Sequence, residues 1–209
     1  MRKFYLATLF VLGCTLFTNA QNDPAAKKVI EAFGNKVKAS KGITAVFTLN
    51  SFTSKGRATG TKQLALSMKG EKYQLKQGKT EIICDGKSVY NFDGARTITK
   101  SSVEESSQTL SPQKLLAGSY DKDFSYKLIS TKGNLHEIEM KPLDNRKNFQ
   151  KVNLFFDKVK STLVKARILD KSNNVTELKV NNINLSAVLA DQLFVFNKAR
   201  YPKDVEILD

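Results

Sequence analysis

Residues Glu81 to Gly94 read EIICDGKSVYNFDG, and the reading of this stretch decides the fold. Asp85-Gly86 and Asp93-Gly94 are both the dipeptide that favours tight hairpin turns, because both central residues can take positive φ. Between them lies one strand, Lys87 to Phe92. Glu81 to Cys84 is the strand before it and Ala95 to Lys100 the strand after, so three consecutive strands form a meander. Cys84 is then the last residue of a strand entering a hairpin, a position that raises the question of whether its thiol does chemistry.

The same period of two extends in both directions. Upstream, Ile43-Ala45-Phe47-Leu49 alternates with Thr44-Val46-Thr48-Asn50, and Leu64-Leu66-Met68 alternates with Gln63-Ala65-Ser67. Lys69-Gly70 reads as a two-residue turn into Lys72 to Leu75. Downstream, Phe124 to Ser130 turns at Lys132-Gly133-Asn134 and returns through Leu135 to Met140. Val152-Leu154-Phe156, Leu163 to Leu169, Val175 to Leu185 and Leu193 to Phe196 complete the strands, before a tail at Asp204 to Leu208.

Two segments break the pattern towards helix. Asp23 is a cap, Pro24 suits the first helical position, and Val29, Ile30, Phe33 and Val37 recur at helical spacing, so a helix is predicted to end near Ser40 to Gly42. Ser101 to Ser111 reads as a polar linker leading to a short helix over Ser111 to Gly118, with a serine cap, Pro112 in the first turn and a glycine stop. Nothing alternates strand with helix, which excludes a parallel α/β sheet. The expectation is a mainly β, α+β domain of about ten or eleven antiparallel strands, strongly curved into part of a barrel, with helices over one face.

The N-terminus fixes the compartment. Arg2 and Lys3 precede an almost unbroken apolar run from Phe4 to Phe17, and Thr18-Asn19-Ala20 closes it with a small residue, the pattern of an export signal. The run falls short of the roughly 20 apolar residues that span a bilayer. Residues 1–20 are therefore expected to be a signal peptide cut after Ala20, and 21–209 a single exported domain. The alternative is a lipobox at Val11-Leu12-Gly13-Cys14, which would leave Cys14 acylated as a membrane anchor.

The chain carries 34 Lys and Arg against 20 Asp and Glu, a net charge of +14. The basic residues are scattered and form no dense block, so export makes nucleic acid a poor partner. An anionic membrane surface or an acidic partner fits better, beside the plain alternative of a solvated basic surface. With Cys14 in the signal, Cys84 stands alone and no internal disulfide forms. The single histidine, His136, lies in the plain strand Leu135-His136-Glu137-Ile138, where a solvent-facing position is expected, so nothing local pairs it with the thiol. One cysteine and one histidine build no nitrogen/sulfur metal site. There is no phosphate loop, no G-x-S-x-G elbow and no paired-carboxylate motif, so no catalytic residue, metal or cofactor is expected.

The order of elements and their wording resemble the periplasmic outer-membrane lipoprotein carrier family, LolA. The likeness rests on DPAAKKVIEAF in the first helix, ITAVFTL, CDGKSVYNF, SPQKLLAG, KVNLFFD followed by LVKARILDKSNN, and the closing DQLFVFNKARYPKDVEILD. It implies a half-open barrel of antiparallel strands whose concave face is covered by a helical lid, with the acyl chains of lipoproteins held between. Carried across position by position, it assigns an apolar lining to Tyr73, Leu75, Ile83, Val89, Val152, Leu154, Phe156, Val164 and Ile168, with Leu115 and Leu116 from the lid helix. Where the family carries an arginine that fastens the lid, this chain reads Met68-Lys69-Gly70, making Lys69 the candidate latch, with fewer donors and no planar fork. The resemblance further implies a monomer that takes acylated lipoproteins from an inner-membrane lipoprotein-releasing ABC transporter. Delivery would be to an outer-membrane receptor or the membrane surface. A membrane-anchored receptor or lipid-sensing module of the same fold is the second reading, although Ser54 to Gly60 offers no bulky apolar residue to a bilayer.

Overall fold

A computed structural model describes residues 22–106, 110, 115–116 and 120–209. The signal segment and most of the expected helix over Ser111 to Gly118 lie outside the described residues. Twelve strands form one sheet: β1 (Ile43–Phe52), β2 (Ala58–Lys69), β3 (Lys72–Gln77), β4 (Thr80–Cys84), β5 (Ser88–Phe92), β6 (Thr97–Ser102), β7 (Phe124–Ser130), β8 (Leu135–Pro142), β9 (Phe149–Asp157), β10 (Leu163–Asp170), β11 (Val175–Asn184) and β12 (Glu206–Leu208). Helix α1 spans Pro24–Ala39 and the single turn α2 spans Val103–Ser106. Among the described residues no helix is long and apolar enough to cross a membrane.

The order across the sheet is β12-β6-β5-β4-β3-β2-β1-β11-β10-β9-β8-β7, open at both ends. β1 to β6 and β7 to β11 each run as a meander of consecutive neighbours, and two long-range pairings complete the sheet: β1 with β11, which joins the meanders, and β12 with β6 at the edge. Register slips at Val46/Phe47, Ser51/Phe52, Leu163/Lys165 and Leu169/Asp170 insert bulges, which bend and twist a sheet.

The Asp-Gly turns stand where the sequence puts them, with a different geometry. Gly86 and Gly94 take φ of 96° and 85°, whereas neither aspartate is left-handed. Each aspartate instead turns its carboxylate back on the loop: Asp85 Oδ1 accepts from the N–H of Lys87 and Ser88, and Asp93 Oδ1 from Ala95, Arg96 and Thr97. These are Asx turns, in which only the glycine needs positive φ.

Four other expectations are corrected. The start of the Ser101 to Ser111 linker is ordered: Ser101 and Ser102 finish β6, and α2 follows, with Ser102 and Glu105 bonded to each other in both directions. Leu193 to Phe196 is no strand, because Asp191–Phe194 winds into a 3-10 turn. The tail contains β12, which pairs with β6 in parallel and so departs from the antiparallel pattern. Among the described residues the strand count is accordingly twelve.

The free edge of β7 is closed by the entrance to α1. Asn22 Oδ1 accepts from Tyr126 N–H at 2.9 Å, Asp23 N–H donates to the Tyr126 carbonyl, and Asp23 Oδ2 accepts from Leu128 N–H at 2.9 Å. The other carboxylate oxygen of Asp23 caps the helix through Ala25 N–H. One residue thus starts the helix and blunts a sheet edge that would otherwise pair with another chain.

Candidate functional site

The inward face is built by register. Tyr73 lies opposite Cys84 and Cys84 opposite Val89, so all three side chains share one face. The same face continues through Met68 and Leu66, across Ala45 and Phe47, to Leu178, Ala166, Leu154 and Ile138. One contiguous apolar cluster results, roofed by Ala26, Ile30 and Phe33 of α1 and by Leu115, Leu116 and Tyr120. Phe33 meets Phe156 with ring centroids 5.5 Å apart. The roof's helical half is tied at both ends: Asn22 and Asp23 bond it to β7 at its start, and at its finish Ser40 Oγ donates to the Leu185 carbonyl at 2.6 Å and Lys36 Nζ reaches the Lys160 carbonyl. At the other half, the Tyr120 hydroxyl donates to the Leu115 carbonyl at 2.6 Å.

The described residues thus form a 12-stranded open sheet whose apolar inner wall is covered by a helix. Residues 60–197 match the family described as outer membrane lipoprotein carrier protein LolA.

The chain belongs to the LolA family.

Over its whole length the chain is 24% identical to an outer-membrane lipoprotein carrier protein of Legionella pneumophila, covering 99% of that protein. A conserved protein of Thermus thermophilus shares the fold with a TM-score of 0.56 at 14% identity, covering 88% of this chain and 98% of the other. A LolA superfamily protein of Nitrosomonas europaea gives 0.47 at 13% identity, with 82% and 97% covered.

Of the residues assigned through the LolA resemblance, Tyr73, Val89, Leu115, Leu116, Val152, Leu154 and Phe156 lie in the buried inward cluster, and Leu75 and Ile168 pack against it partly buried. Two lie elsewhere. Ile83 pairs with Gln74 and Tyr90 and therefore faces the outer side, where it is fully buried. Val164 is the extra residue of the bulge between Leu163 and Lys165, so Leu163 and Ala166 supply the inward side chains of β10. The helical lid over the concave face was expected from the resemblance, with Leu115 and Leu116 as its residues, but no residue of α1 was assigned to it. Ile30 and Phe33 were visible as a helical stripe, but nothing in the stripe says which face of the sheet it covers.

Ile83 belongs to a second apolar layer on the outer side. Ile98, Phe194 and Val205 are buried outside the inward cluster. Tyr90 stacks on Phe196 at 4.3 Å, and Tyr201 meets Phe92 at 5.0 Å and Phe196 at 5.6 Å. The C-terminal segment therefore clamps β4 to β6 from outside, leaving their inner face for other use.

The two residues with reactive side chains are placed against chemistry. Cys84 is buried and donates weakly to the Glu71 carbonyl, and burial pushes its thiol up, aided by the nearby carboxylates of Asp85 and Glu71. A nucleophile requires the opposite shift. Burial pushes the Tyr73 phenol up to about 12, so both groups sit uncharged in the inward cluster. His136 is not solvent-facing: it lies opposite Phe156 on the inward side, half-buried, with a buried Nδ1 that has no hydrogen-bond partner among the described residues. Burial first, then the Lys158 charge, lowers its basicity. Lys69 donates to Asp191 Oδ1 at 2.9 Å, a contact with the C-terminal segment rather than with the roof.

Proposed function

We propose that the chain is an exported carrier that holds the acyl chains of lipoproteins against its inward face and shuttles them from the inner to the outer membrane, without chemistry of its own. The observation that carries this reading is the continuous apolar inner wall under a roof made of separate pieces. A roof tied at the α1 side and resting on Leu115 and Leu116 at the other supports opening at the second side. Tyr73, Leu75, Val89, Val152, Leu154, Phe156 and Ile168 would then meet the acyl chains directly.

The energetics require such a roof. A buried CH₂ is worth about 0.8 kcal/mol, so exposing a long acyl chain to water costs on the order of 10 kcal/mol. A carrier must match much of that and still release. In the empty form the roof leucines bury themselves on the inner wall, which offsets part of the cost of losing cargo. The receiving membrane then needs to supply only the difference.

The protein would act as a monomer, receiving cargo from an ABC transporter that extracts lipoproteins and yielding it to a receptor or to the outer membrane itself. Mass spectrometry of protein purified from its host tests this: bound acylated protein or lipid is expected, together with misplaced outer-membrane lipoproteins on depletion. Empty protein and correctly placed lipoproteins would sink the reading. The intact mass of the mature N-terminus separates a soluble carrier from a form anchored through Cys14.

A further inference from the structure

Antiparallel alternation brings the start of β1, the end of β11 and the β9–β10 turn to one end of the half-barrel, where α1 also terminates. Two apolar tips project there. Val188, in the loop after β11, is 99% exposed, and Val159, in the β9–β10 turn, is 81% exposed. One helix end holds both loops, through Lys36 Nζ on the Lys160 carbonyl and Ser40 Oγ on the Leu185 carbonyl.

Both tips are held rigidly. Ala187 N–H donates to the Gly42 carbonyl at 3.0 Å, and Ser186 N–H to Asn184 Oδ1 at 2.9 Å. The approach is so close that a Cβ on Gly42 would lie 2.6 Å from the Ala187 carbonyl oxygen. At the other tip, Asp157 Oδ1 accepts from the N–H groups of Val159 and Lys160, and Lys158 Nζ donates to the carbonyls of Thr131 and Gly133.

The charge around the tips is positive. Lys38 and Lys41 are exposed at the end of α1, and Lys160 flanks Val159. Lys41 and Lys69 line a depression of about 650 Å³ whose other walls include Ala39, Leu185, Val188 and Leu189. Two carboxylates at this end are already engaged, Asp191 by Lys69 at 2.9 Å and Asp157 by its turn. Small fixed apolar points in front of a band of ammonium groups match a surface with anionic phosphates above an apolar interior. A flat protein partner would ask for a broad patch instead.

We propose that this end docks on an anionic phospholipid bilayer, Val159 and Val188 dipping below the headgroups while Lys38, Lys41 and Lys160 meet the phosphates. The purpose of such docking rests on the carrier reading, but the binding itself is measured without cargo. The test is sedimentation of the protein with vesicles of phosphatidylcholine, with and without phosphatidylglycerol, for variants sharing one N-terminus. Binding is expected to need phosphatidylglycerol and to weaken with salt. It should fall about tenfold or more in Val159→Asp/Val188→Asp and in Lys38→Glu/Lys41→Glu. Leu143→Asp, which alters an apolar residue 59% exposed at the opposite end, should bind as wild type. Equal binding to both vesicles, an unaffected double-aspartate variant or an equal loss in Leu143→Asp overturns the proposal. So does a double-aspartate variant that keeps vesicle binding but loses transfer to a protein acceptor, which would make this end a protein-docking face. A protein that binds vesicles in this way yet takes up no acylated cargo when offered it would instead sink the carrier reading and leave the docking intact.

Discussion

Tyr201 donates its hydroxyl to Glu81 Oε2 at 2.6 Å, joining the C-terminal segment to the outer face of β4 across 120 positions of sequence. Gln74 Nε2 holds the other carboxylate oxygen at 2.7 Å, and Lys76 and Arg200 stand within 4 Å. Burial, then the hydrogen bond to Glu81, keeps the Tyr201 phenol protonated and donating well above its ordinary range. Tyr201→Phe retains the ring contacts and removes only this bond to a charged acceptor. Urea denaturation is expected to show a loss of about 1.5–3 kcal/mol. A loss below the error of the measurement would mean that the clamp is held by the rings alone.

The Asp23 carboxylate is held below its ordinary 3.8 by the N–H groups of Leu128 and Ala25. A lowered folded-state pKa stabilises above the unfolded value and fades as pH falls through the folded one. The tie between α1 and β7 is therefore expected to be complete at neutral pH and to loosen only in acid below the ordinary carboxylate value. The protection factor of the Leu128 amide, its exchange rate relative to that of an unstructured amide at the same pH, should be high at neutral pH and lower in acid. Asp23→Ala should remove the pH dependence, and an unchanged profile in that variant would refute the assignment.

Much of this was legible in the sequence because alternation and turn chemistry are local. The β4–β5–β6 meander, α1 with its Asp23 cap, and the inward rows Ile43-Ala45-Phe47 and Leu64-Leu66-Met68 follow from such signals. What was lost is parity where it is ambiguous. Ile82-Ile83-Cys84 is apolar on both faces, since the inner cluster takes Ile82 and Cys84 while the C-terminal segment covers Ile83, and a continuous apolar run does not say which residue points in. The bulge at Val164 shifts parity by one residue, an event decided by pairing with β9 rather than by β10. His136 was recoverable: it stands two and four residues before Ile138 and Met140, both inward. Phe194 and Phe196 alternate like a strand, but Phe194 is buried in a 3-10 turn and Phe196 stacks on Tyr90 of β5, a non-local contact no local pattern announces.

The two-sided burial of β4 separates stability from binding. Ile83→Ala should cost about 2–5 kcal/mol in denaturant unfolding, since a fully buried side chain leaves a cavity. It should nevertheless leave binding of a fluorescent fatty acid near wild type. Ala166→Phe, which adds bulk on the inward face between Leu154 and Leu178, should weaken that binding several-fold at a stability cost of about 1–3 kcal/mol. Equal effects of the two substitutions on binding would remove the distinction between the faces.

Cys84 is 1% exposed and its thiol is pushed up by burial, so a thiol reagent at mildly alkaline pH should label it only as fast as the protein opens. Labelling is expected to accelerate sharply in denaturant. Cys84→Ala should cost about 1 kcal/mol and leave fatty-acid binding unchanged. Rapid labelling of the native protein would show that the inner wall near Tyr73 is open to solvent.

Phe33 is the residue on which the fixed half of the roof depends. It is fully buried, and its ring meets Phe156 from across the inner wall, midway between the ties of α1 to β7 and to Leu185. Removing the ring leaves both sets of hydrogen bonds in place, so α1 should stay seated while the wall beneath it opens. Phe33→Ala is expected to cost about 3–5 kcal/mol in unfolding. If the inner wall is an acyl site, the same substitution should raise the affinity for a bulky apolar dye, because the roof no longer fills the space the dye needs. A variant that loses stability yet gains no dye binding would show that the space beneath α1 collapses when vacated, and would argue that cargo enters only beneath Leu115 and Leu116.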